Sequence, residues 1–455
     1  MLDPELSDDD VQAVIDAVAA EDRVAGHHAQ FVWDGLTAGE GPEMVTQAGL
    51  QNWLWWLLPK RTMGETDLWS EVAAAGADLF ERLGAARYAE ICRSETTAGV
   101  HQAWARSANA GVTECRKAQD GSGVEPPSLD DFEWSEVFGS WENDARDAVE
   151  QALEAAIHQG TLAPGARGWR ARAAEVCRAT IDAELPGVGQ SLRTMVHSER
   201  AGRWAAPFWV PADQHADREA MVPRVLVAPA APDDDALVEA WTPLRWLVER
   251  CGEGLTLTAS NYIPPAVVRE AVERFGWWRW EKGPRSEADV FELGDLRDAA
   301  VRMRLLRRRG RSLTATKHGM QGLASPSAWW PTVVTEVGGE HEHPQSAAEE
   351  LAMLMVGQGR LDGSDLVARA AGRLAAQNWQ VAPEEAHRVH RSVVVRTLVR
   401  WEVLGLAGSI ESRWEPGPKG PRQVQPAEWW LTPVGDTAVT AWMHRRVCGP
   451  RDHPA

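Results

Sequence analysis

The sequence predicts a mainly α-helical fold, with a helical amino-terminal region followed by two small α+β modules. Apolar residues recur at three- and four-residue spacing through much of the chain, which is the period of an amphipathic helix. Two segments, residues 293–319 and 393–435, share a more specific plan. Each begins as an amphipathic helix, passes through a Leu-containing corner and ends in a Leu-Thr dipeptide shortly before a Gly. This plan predicts a helix, a hairpin and a capped final helix.

The amino-terminal region is predicted to be helical from its start. Ser7 and the three aspartates after it are typical of a helix start, because carboxylates favour the amino end of the helix dipole. Residues 50–58 are too few to cross a bilayer, so we expect a buried helix there, with an exposed partner groove as the alternative. Residues 68–93 have helical spacing. We expect an acidic helical region over residues 1–120 and a second helical region over residues 128–204.

Two short matches suggest an internal repeat in this region. Residues 86–93 and 171–178 agree at six of eight positions, and the tetrapeptide WSEV at residues 69–72 recurs at residues 134–137. The second helical region is therefore a possible remote repeat of the first. Coincidence in a sequence rich in Ala, Arg and Glu is the alternative.

Charge is distributed unevenly along the chain. Residues 1–150 hold 10 Lys and Arg against 29 Asp and Glu, whereas residues 151–455 hold 37 of each, so the net charge of −19 lies in the first third. An acidic surface repels nucleic acid and anionic membranes, so any contact with a polyanion is expected to be local and carboxy-terminal. A solvated acidic surface that keeps the chain soluble also explains the bias.

Cysteine usage and hydropathy indicate a cytoplasmic protein. The five cysteines are scattered without a C-x-x-C pair, which argues against a disulfide framework and a thiolate metal site. The acidic first ten residues lack the apolar core of a signal peptide. No run approaches the roughly 20 apolar residues of a membrane helix, so we expect no membrane contact.

Residues 205–235 are expected to be a linker, with a short strand at residues 225–227 between prolines and three aspartates. The first α+β module is predicted over residues 236–335. It contains a helix at residues 237–251, a strand at 255–258 that can pair with the sequence SLTAT, and further helices and a hairpin.

The first module has an arginine-rich segment at residues 293–319. Leu293, Leu296, Ala299, Ala300, Met303 and Leu306 form one predicted helical stripe, and Arg297, Arg304 and Arg308 form a second stripe on the same helix. Residues 307–311 supply the hairpin corner, where Gly310 permits a positive φ. Eight Arg or Lys and one acid lie between residues 296 and 319.

The second module is predicted over residues 345–447. Strands at residues 409–414 and 428–431 are joined by a connector, residues 415–426, whose Pro and Gly content argues against regular structure. Thr432 is a suitable N-cap and Pro433 a suitable first helical residue, because its missing N–H costs nothing there.

These segments resemble two groups of proteins. Residues 255–319 resemble a segment of actinobacterial proteins of unknown function, some of them similar to plasmid pRiA4b ORF-3 proteins. The carboxy-terminal LTPVG is similar to the closing strand and helix of winged-helix regulators of the MarR and PadR groups. The resemblance implies two winged-helix-like units and brings no catalytic or ligand residues.

No catalytic constellation, cofactor motif or complete metal site is evident in the sequence. The segment 340–343, Glu-His-Glu-His, and His387 with His390 have metal-ligand types, but a solvated polar segment explains both, and no metal is expected. His27-His28 and His215 with Asp217 are weaker candidates.

The basic residues therefore carry the functional hypothesis. We expect a non-enzymatic protein-interaction or scaffold protein whose winged-helix-like modules bind a protein partner or the acidic amino-terminal region of the same chain. The alternative is a DNA-binding transcriptional regulator that contacts duplex DNA through residues 297–317, and a second alternative is an unrecognised enzyme. The candidate residues for the acidic partner or nucleic acid are Arg297, Arg304, Arg308, Arg309, Arg311, Lys317, Lys419 and Arg422.

Overall fold

The computed structural model describes residues 2, 5–62, 66–278, 282–339, 347–377, 383–410, 413–415, 422–425 and 427–450, with the side chains of 383–387, 413–415 and 422–425 left aside. These residues form two compact units, an amino-terminal unit (Met1–Val196) and a carboxy-terminal unit (His197–Gly449). The predicted mainly helical class is confirmed. The described residues include no helix that is both long and apolar enough to span a bilayer.

The amino-terminal unit is built from helices. They are α1 (Asp8–Glu21), α2 (Arg23–Thr37), α3 (Gln47–Asn52), α4 (Leu58–Arg61), α5 (Thr66–Arg82), α6 (Ala86–Arg93), α7 (Glu95–Arg106), α8 (Ala108–Ser122), α9 (Ser140–His158), α10 (Trp169–Asp182) and α11 (Leu192–Ala205), which continues into the carboxy-terminal unit. The predicted start of the first helix is confirmed, because Ser7 and Asp10 form a reciprocal capping box there.

The apolar run at residues 50–58 is a buried helical segment, as predicted. It continues from α3 through a π-helical turn, Trp53–Leu57, into α4. Trp53, Leu54 and Trp55 are buried in a core shared by α1 to α8, while α9 and α10 enclose a second, smaller core. The proposed repeat stays a prediction. Residues 86–93 form α6 and residues 171–178 lie within α10, whereas residues 69–72 lie within α5 and residues 134–137 precede α9 in a non-helical segment.

The first module of the carboxy-terminal unit alternates helices with a small sheet. After α12 (His215–Val225), its elements are α13 (Asp234–Ala240), α14 (Thr242–Arg250), β1 (Leu255–Thr256), α15 (Pro265–Phe275), α16 (Phe291–Arg302), β2 (Leu306–Arg309), β3 (Ser312–Ala315), α17 (Lys317–Ala324) and α18 (Trp330–Glu336). The predicted pairing of the first strand with SLTAT is confirmed, since β1 and β3 are antiparallel partners.

The second module follows a similar order of elements, with an additional strand pair. Its elements are α19 (Ala347–Met355), β4 (Leu361–Asp362), α20 (Gly363–Gln377), α21 (Pro383–Val403), β5 (Ala407–Ile410), β6 (Arg413–Glu415), β7 (Arg422–Gln425), β8 (Glu428–Leu431) and α22 (Pro433–Cys448). The additional pair is β6 and β7. The N-cap at Thr432 and the first helical residue Pro433 are confirmed. The strand orders of the two sheets are β1-β3-β2 and β4-β8-β5, so the last strand of each module, β3 or β8, lies in the middle of its sheet.

Both modules share one hydrophobic core. It runs from α11 and α12 through both sheets to α22, and its largest fully buried side chains are the indoles Trp241, Trp329 and Trp401. The α16 helix of the first module packs directly against α21 of the second. The two modules therefore fold as one unit with a common core, and they are not separate domains joined by a linker.

Three local predictions were wrong. Residues 225–227 are not a strand, because Met221 and Val225 bury one face of α12 at i, i+4 spacing and Pro223 falls in its last turn. The helix predicted to run through Leu306 ends at Arg302, and Leu306 begins β2. Part of the connector 415–426 is regular, since β7 pairs with β6.

Candidate binding surfaces of the carboxy-terminal unit

A backbone corner after α16 positions the basic hairpin of the first module. The chain leaves the helix with Arg304 at φ +57°, and the Leu305 N–H donates back to the Ala300 carbonyl at 2.9 Å. Thr316 caps α17 by accepting a hydrogen bond from the Gly319 N–H, 3.0 Å away, and its hydroxyl donates to the Arg304 carbonyl at 2.7 Å. A Cβ at Gly319 would lie 2.3 Å from the Leu305 carbonyl oxygen, which explains the Gly after the Leu-Thr dipeptide.

The second module repeats this corner bond for bond. Gly405 has φ +70°, and the Leu406 N–H donates to the Trp401 carbonyl at 2.7 Å. The Thr432 hydroxyl accepts from the Gly435 N–H at 3.0 Å and donates to the Gly405 carbonyl at 2.8 Å. The two corners differ at one informative position, where the first module has an arginine and the second a glycine.

The basic hairpin consists of β2, β3 and the turn between them. Arg309 pairs with Ser312, so Gly310 and Arg311 form a two-residue turn, with Gly310 at φ +57°. Leu306 is buried at the base of β2, whereas Arg307, Arg308 and Arg309 are exposed. The turn predicted at Gly310 is confirmed.

Five cations form what we call the hairpin patch: Arg304, Arg307, Arg308, Arg309 and Lys317. All five are exposed, and none has an ion pair with another described residue. Arg304 and Lys317 lie at the two ends of the hairpin, beside the corner, and Arg308 Nε donates to the Gly310 carbonyl at 3.1 Å. The patch is therefore a local concentration of positive charge on a unit whose total net charge is close to zero.

The remaining candidate arginines of the first module have structural partners. The Arg311 guanidinium donates to the Leu257 carbonyl through Nε (3.0 Å) and Nη2 (2.8 Å), which ties the turn to the end of β1. Arg297 forms an ion pair with buried Glu287 at 2.8 Å and a second with Asp298 at 3.0 Å. The predicted helical stripe of Arg297, Arg304 and Arg308 does not exist, because the three residues lie on α16, in the corner and on β2.

The α16 helix presents an acidic and apolar exterior. Its second arginine, Arg302, forms an ion pair with Glu336 at 2.6 Å. Asp298 is exposed, and so is Phe291, with 77% of its surface open. Burial against α21 raises the pKa of the Asp295 carboxyl, and Arg400 on α21 opposes that shift. Both arginines of α16 are engaged with carboxylates, and its other exposed side chains are acidic or apolar, so the helix offers little attraction to phosphate.

A second basic face lies on α21, and the sequence analysis missed it. Arg388, Arg391 and Arg396 are exposed, whereas Val394 and Leu398 of the same helix are buried. Among the described residues none of the three has an ion pair within 4.0 Å, although Arg396 lies near enough to Asp295 to affect the pKa of its carboxyl. The i, i+3, i+8 spacing of these arginines, set against the apolar stripe, was the signal that could have revealed the face.

Two candidate residues are not placed. Lys419 lies outside the described residues, and Arg422 lies on β7 with its side chain outside them. The same holds for the segment 340–343 and for the His387 ring. Elsewhere in the described chain one group of possible metal ligands converges, His197, His444 and Cys448.

The amino-terminal unit contains a cavity of about 350 Å³ with several polar lining residues, among them Gln51, Asn52 and Gln119. Arg146 and Glu150 also line it, with the Arg146 Nε 3.2 Å from the Glu150 carboxylate. Burial raises the pKa of Glu150 to about 7, and Arg146 only partly offsets that effect. This carboxyl therefore exchanges a proton near neutral pH.

Comparison of the chain with protein-family models, with curated proteins and with solved structures found no match.

Proposed function

We propose that the carboxy-terminal unit is a pair of winged-helix modules through which the chain acts as a non-enzymatic interaction or scaffold protein, with the hairpin patch binding an acidic protein surface. The partner surface belongs to another protein or to the acidic residues 1–150. The resemblance to winged-helix regulators and to the actinobacterial proteins is part of this proposal.

The repeated architecture supports the winged-helix assignment. In each module a helix, a short strand and two helices precede two longer strands and a capped helix, and the short strand pairs with the last strand. The helix before the hairpin would correspond to the one that enters the major groove in DNA-reading winged helices. The equivalent corners at Arg304 and Gly405 add a second, independent correspondence.

The exterior of α16 is the observation that favours a protein partner. A helix that reads DNA needs unpaired cations and hydrogen-bond donors on its outer face, because the phosphates repel carboxylates. On α16 the arginines are engaged with Glu287, Asp298 and Glu336, and Phe291 is exposed. An acidic protein surface with an apolar rim would complement the hairpin patch and this helix together.

The test compares two double variants of the full-length chain with equal change in charge. Arg307→Glu with Arg309→Glu reverses the solvent face of the hairpin. The matched control, Arg269→Glu with Arg285→Glu, reverses two exposed arginines of the same module outside it. Binding of labelled poly-glutamate, followed by fluorescence anisotropy at low salt, should weaken roughly tenfold or more in the hairpin variant and little in the control.

The same pair of variants tests the cellular partner. Proteins recovered with the tagged wild-type chain and with the control should be absent from the hairpin variant. Equal binding of poly-glutamate by all three proteins, or equal recovery of the partner, would contradict the proposal.

A second function, binding of duplex DNA, is favoured by the basic face of α21. In the proposed winged helix, α21 corresponds to the groove-reading helix of the second module, and it carries three exposed arginines. In that case Arg388→Ala with Arg391→Ala should lower DNA affinity and reduce the slope of log K against log salt by about 2. The absence of any gel retardation of duplex DNA at low salt would exclude this function.

A further inference from the structure

Three ligand-type side chains meet at the junction of α11 and α22. His444 and Cys448 are four residues apart and so share one face of α22, and His197 projects from α11. One ring nitrogen of each histidine and the Cys448 Sγ all lie within 4.8 Å of one another. The two imidazole rings meet nearly at right angles, with their centroids 5.5 Å apart.

The surroundings already orient one ligand as metal sites require. His444 Nδ1 donates to the Val225 carbonyl at 2.8 Å, which leaves Nε2 as the nitrogen with a free lone pair. Histidines that coordinate metals almost always donate their other ring N–H in this way. The bond joins the last residue of α12 to α22, so the ring orientation is fixed by the fold of the carboxy-terminal unit.

The Cys448 thiol is buried and makes only a weak hydrogen bond with the described residues. Its Sγ lies 3.8 Å from the Val225 carbonyl, a weak thiol hydrogen bond. Burial raises the pKa of the Cys448 thiol to about 12, while the nearby Arg200 guanidinium acts in the opposite direction. Arg200 is 2% exposed and donates to the Cys448 carbonyl at 2.6 Å, which places a buried guanidinium at the same junction.

We propose that His197, His444 and Cys448 bind a zinc ion that fastens α11 to α22. Two imidazoles and a thiolate are ligands that select Zn²⁺ over Mg²⁺ or Ca²⁺. Tetrahedral bonds to zinc place such ligand atoms about 3.3–3.6 Å apart, so ligand atoms that lie within 4.8 Å of one another must approach by up to about 1.5 Å. On binding, the Cys448 S–H bond breaks, its proton passes to solvent and the sulfur lone pair coordinates the ion, with water as a fourth ligand.

The test uses the full-length chain, purified with a tag that contains no histidine and stripped with a chelator. Titration with Co²⁺ should saturate at one equivalent and produce the near-ultraviolet absorption of a cobalt–thiolate bond, which Zn²⁺ then removes. Cys448→Ala should abolish this absorption, and His444→Gln should weaken Co²⁺ binding by at least about 100-fold. Cys251→Ala removes another buried cysteine of the same unit as a matched control and should behave as wild type.

Two outcomes would overturn the proposal. One is a folded wild-type chain that shows no cobalt–thiolate absorption at a several-fold excess of Co²⁺. The other is an absorption that persists unchanged in Cys448→Ala. Circular dichroism establishes that each variant is folded, and His197→Gln, which changes a ligand on the other helix, replaces any variant that is not.

Discussion

The repeated corner makes a prediction with opposite signs in the two modules. Arg304 and Gly405 occupy equivalent positions at φ +57° and φ +70°, a region that residues with a Cβ enter at a cost of roughly 1–2 kcal/mol. Arg304→Gly removes that cost but gives the unfolded chain more freedom, worth about 0.5–1 kcal/mol. We therefore expect Arg304→Gly to leave the free energy of unfolding unchanged or to raise it by up to about 1.5 kcal/mol.

The reciprocal change, Gly405→Ala, should destabilise the carboxy-terminal unit. Gly405→Ala adds a Cβ that would lie 1.9 Å from the Ala240 carbonyl oxygen, a backbone atom at the end of α13. Strain at positive φ and displacement of that backbone together should lower the free energy of unfolding by about 2–4 kcal/mol, after allowance for the stiffer unfolded chain.

Hydrogen exchange in increasing urea is the appropriate assay, because a chain of two units need not unfold in one step. Peptides from α16 report on the first variant and peptides from α22 on the second. A loss of more than about 1 kcal/mol in Arg304→Gly, or protection unchanged in Gly405→Ala, would refute the equivalence of the two corners.

Two further predictions concern buried charge. Because burial raises the pKa of Glu150 from about 4.5 to about 7, its stabilising contribution is complete below pH 4.5 and is lost as the pH rises through 7. The amino-terminal unit should therefore lose on the order of 2–3 kcal/mol of stability between pH 4.5 and 8 because of this carboxyl group. Urea unfolding at several pH values measures this loss, and Glu150→Gln should make the stability less dependent on pH. The same pH dependence in Glu150→Gln as in the wild-type chain would contradict the prediction. Arg218 lies 2.8 Å from Glu349 and 3.3 Å from Glu350, and all three residues are buried, so Arg218→Met should cost roughly 3–5 kcal/mol by thermal unfolding. A cost under about 1 kcal/mol would show that Arg446 and Arg373, which also pair with these carboxylates, are sufficient to stabilise them.

Local chemistry made much of the fold predictable. The cap at Thr432, the helix start at Ser7 and the hairpin turn at Gly310 each depend on residues within a few positions of one another. Apolar spacing likewise identified the buried segment at residues 50–58. In these places propensity and tertiary packing favour the same structure, which is when sequence patterns are reliable.

The features that the sequence did not predict depend on contacts between residues that are distant along the chain. The end of α16 depends on an arginine in a conformation that favours glycine, held by Thr316 twelve residues later, and no local rule indicates it. The sequence predicted that Arg297 contacts a partner, whereas in the structure it forms an ion pair with Glu287, ten residues earlier in the chain. The meeting of His197 with His444 spans most of the carboxy-terminal unit, so spacing along the chain gives no sign of it.

The shared core of the two modules has a consequence for selectivity. Because α16 and α21 pack against each other in one core, the distance between the hairpin patch and the arginines of α21 is fixed by the fold. A ligand with two anionic clusters at the matching distance would gain from both contacts at once, since the second forms at a high effective concentration. Recognition would then depend on the geometry of the ligand as well as its charge. A short or flexible anion would contact only one of the two basic surfaces.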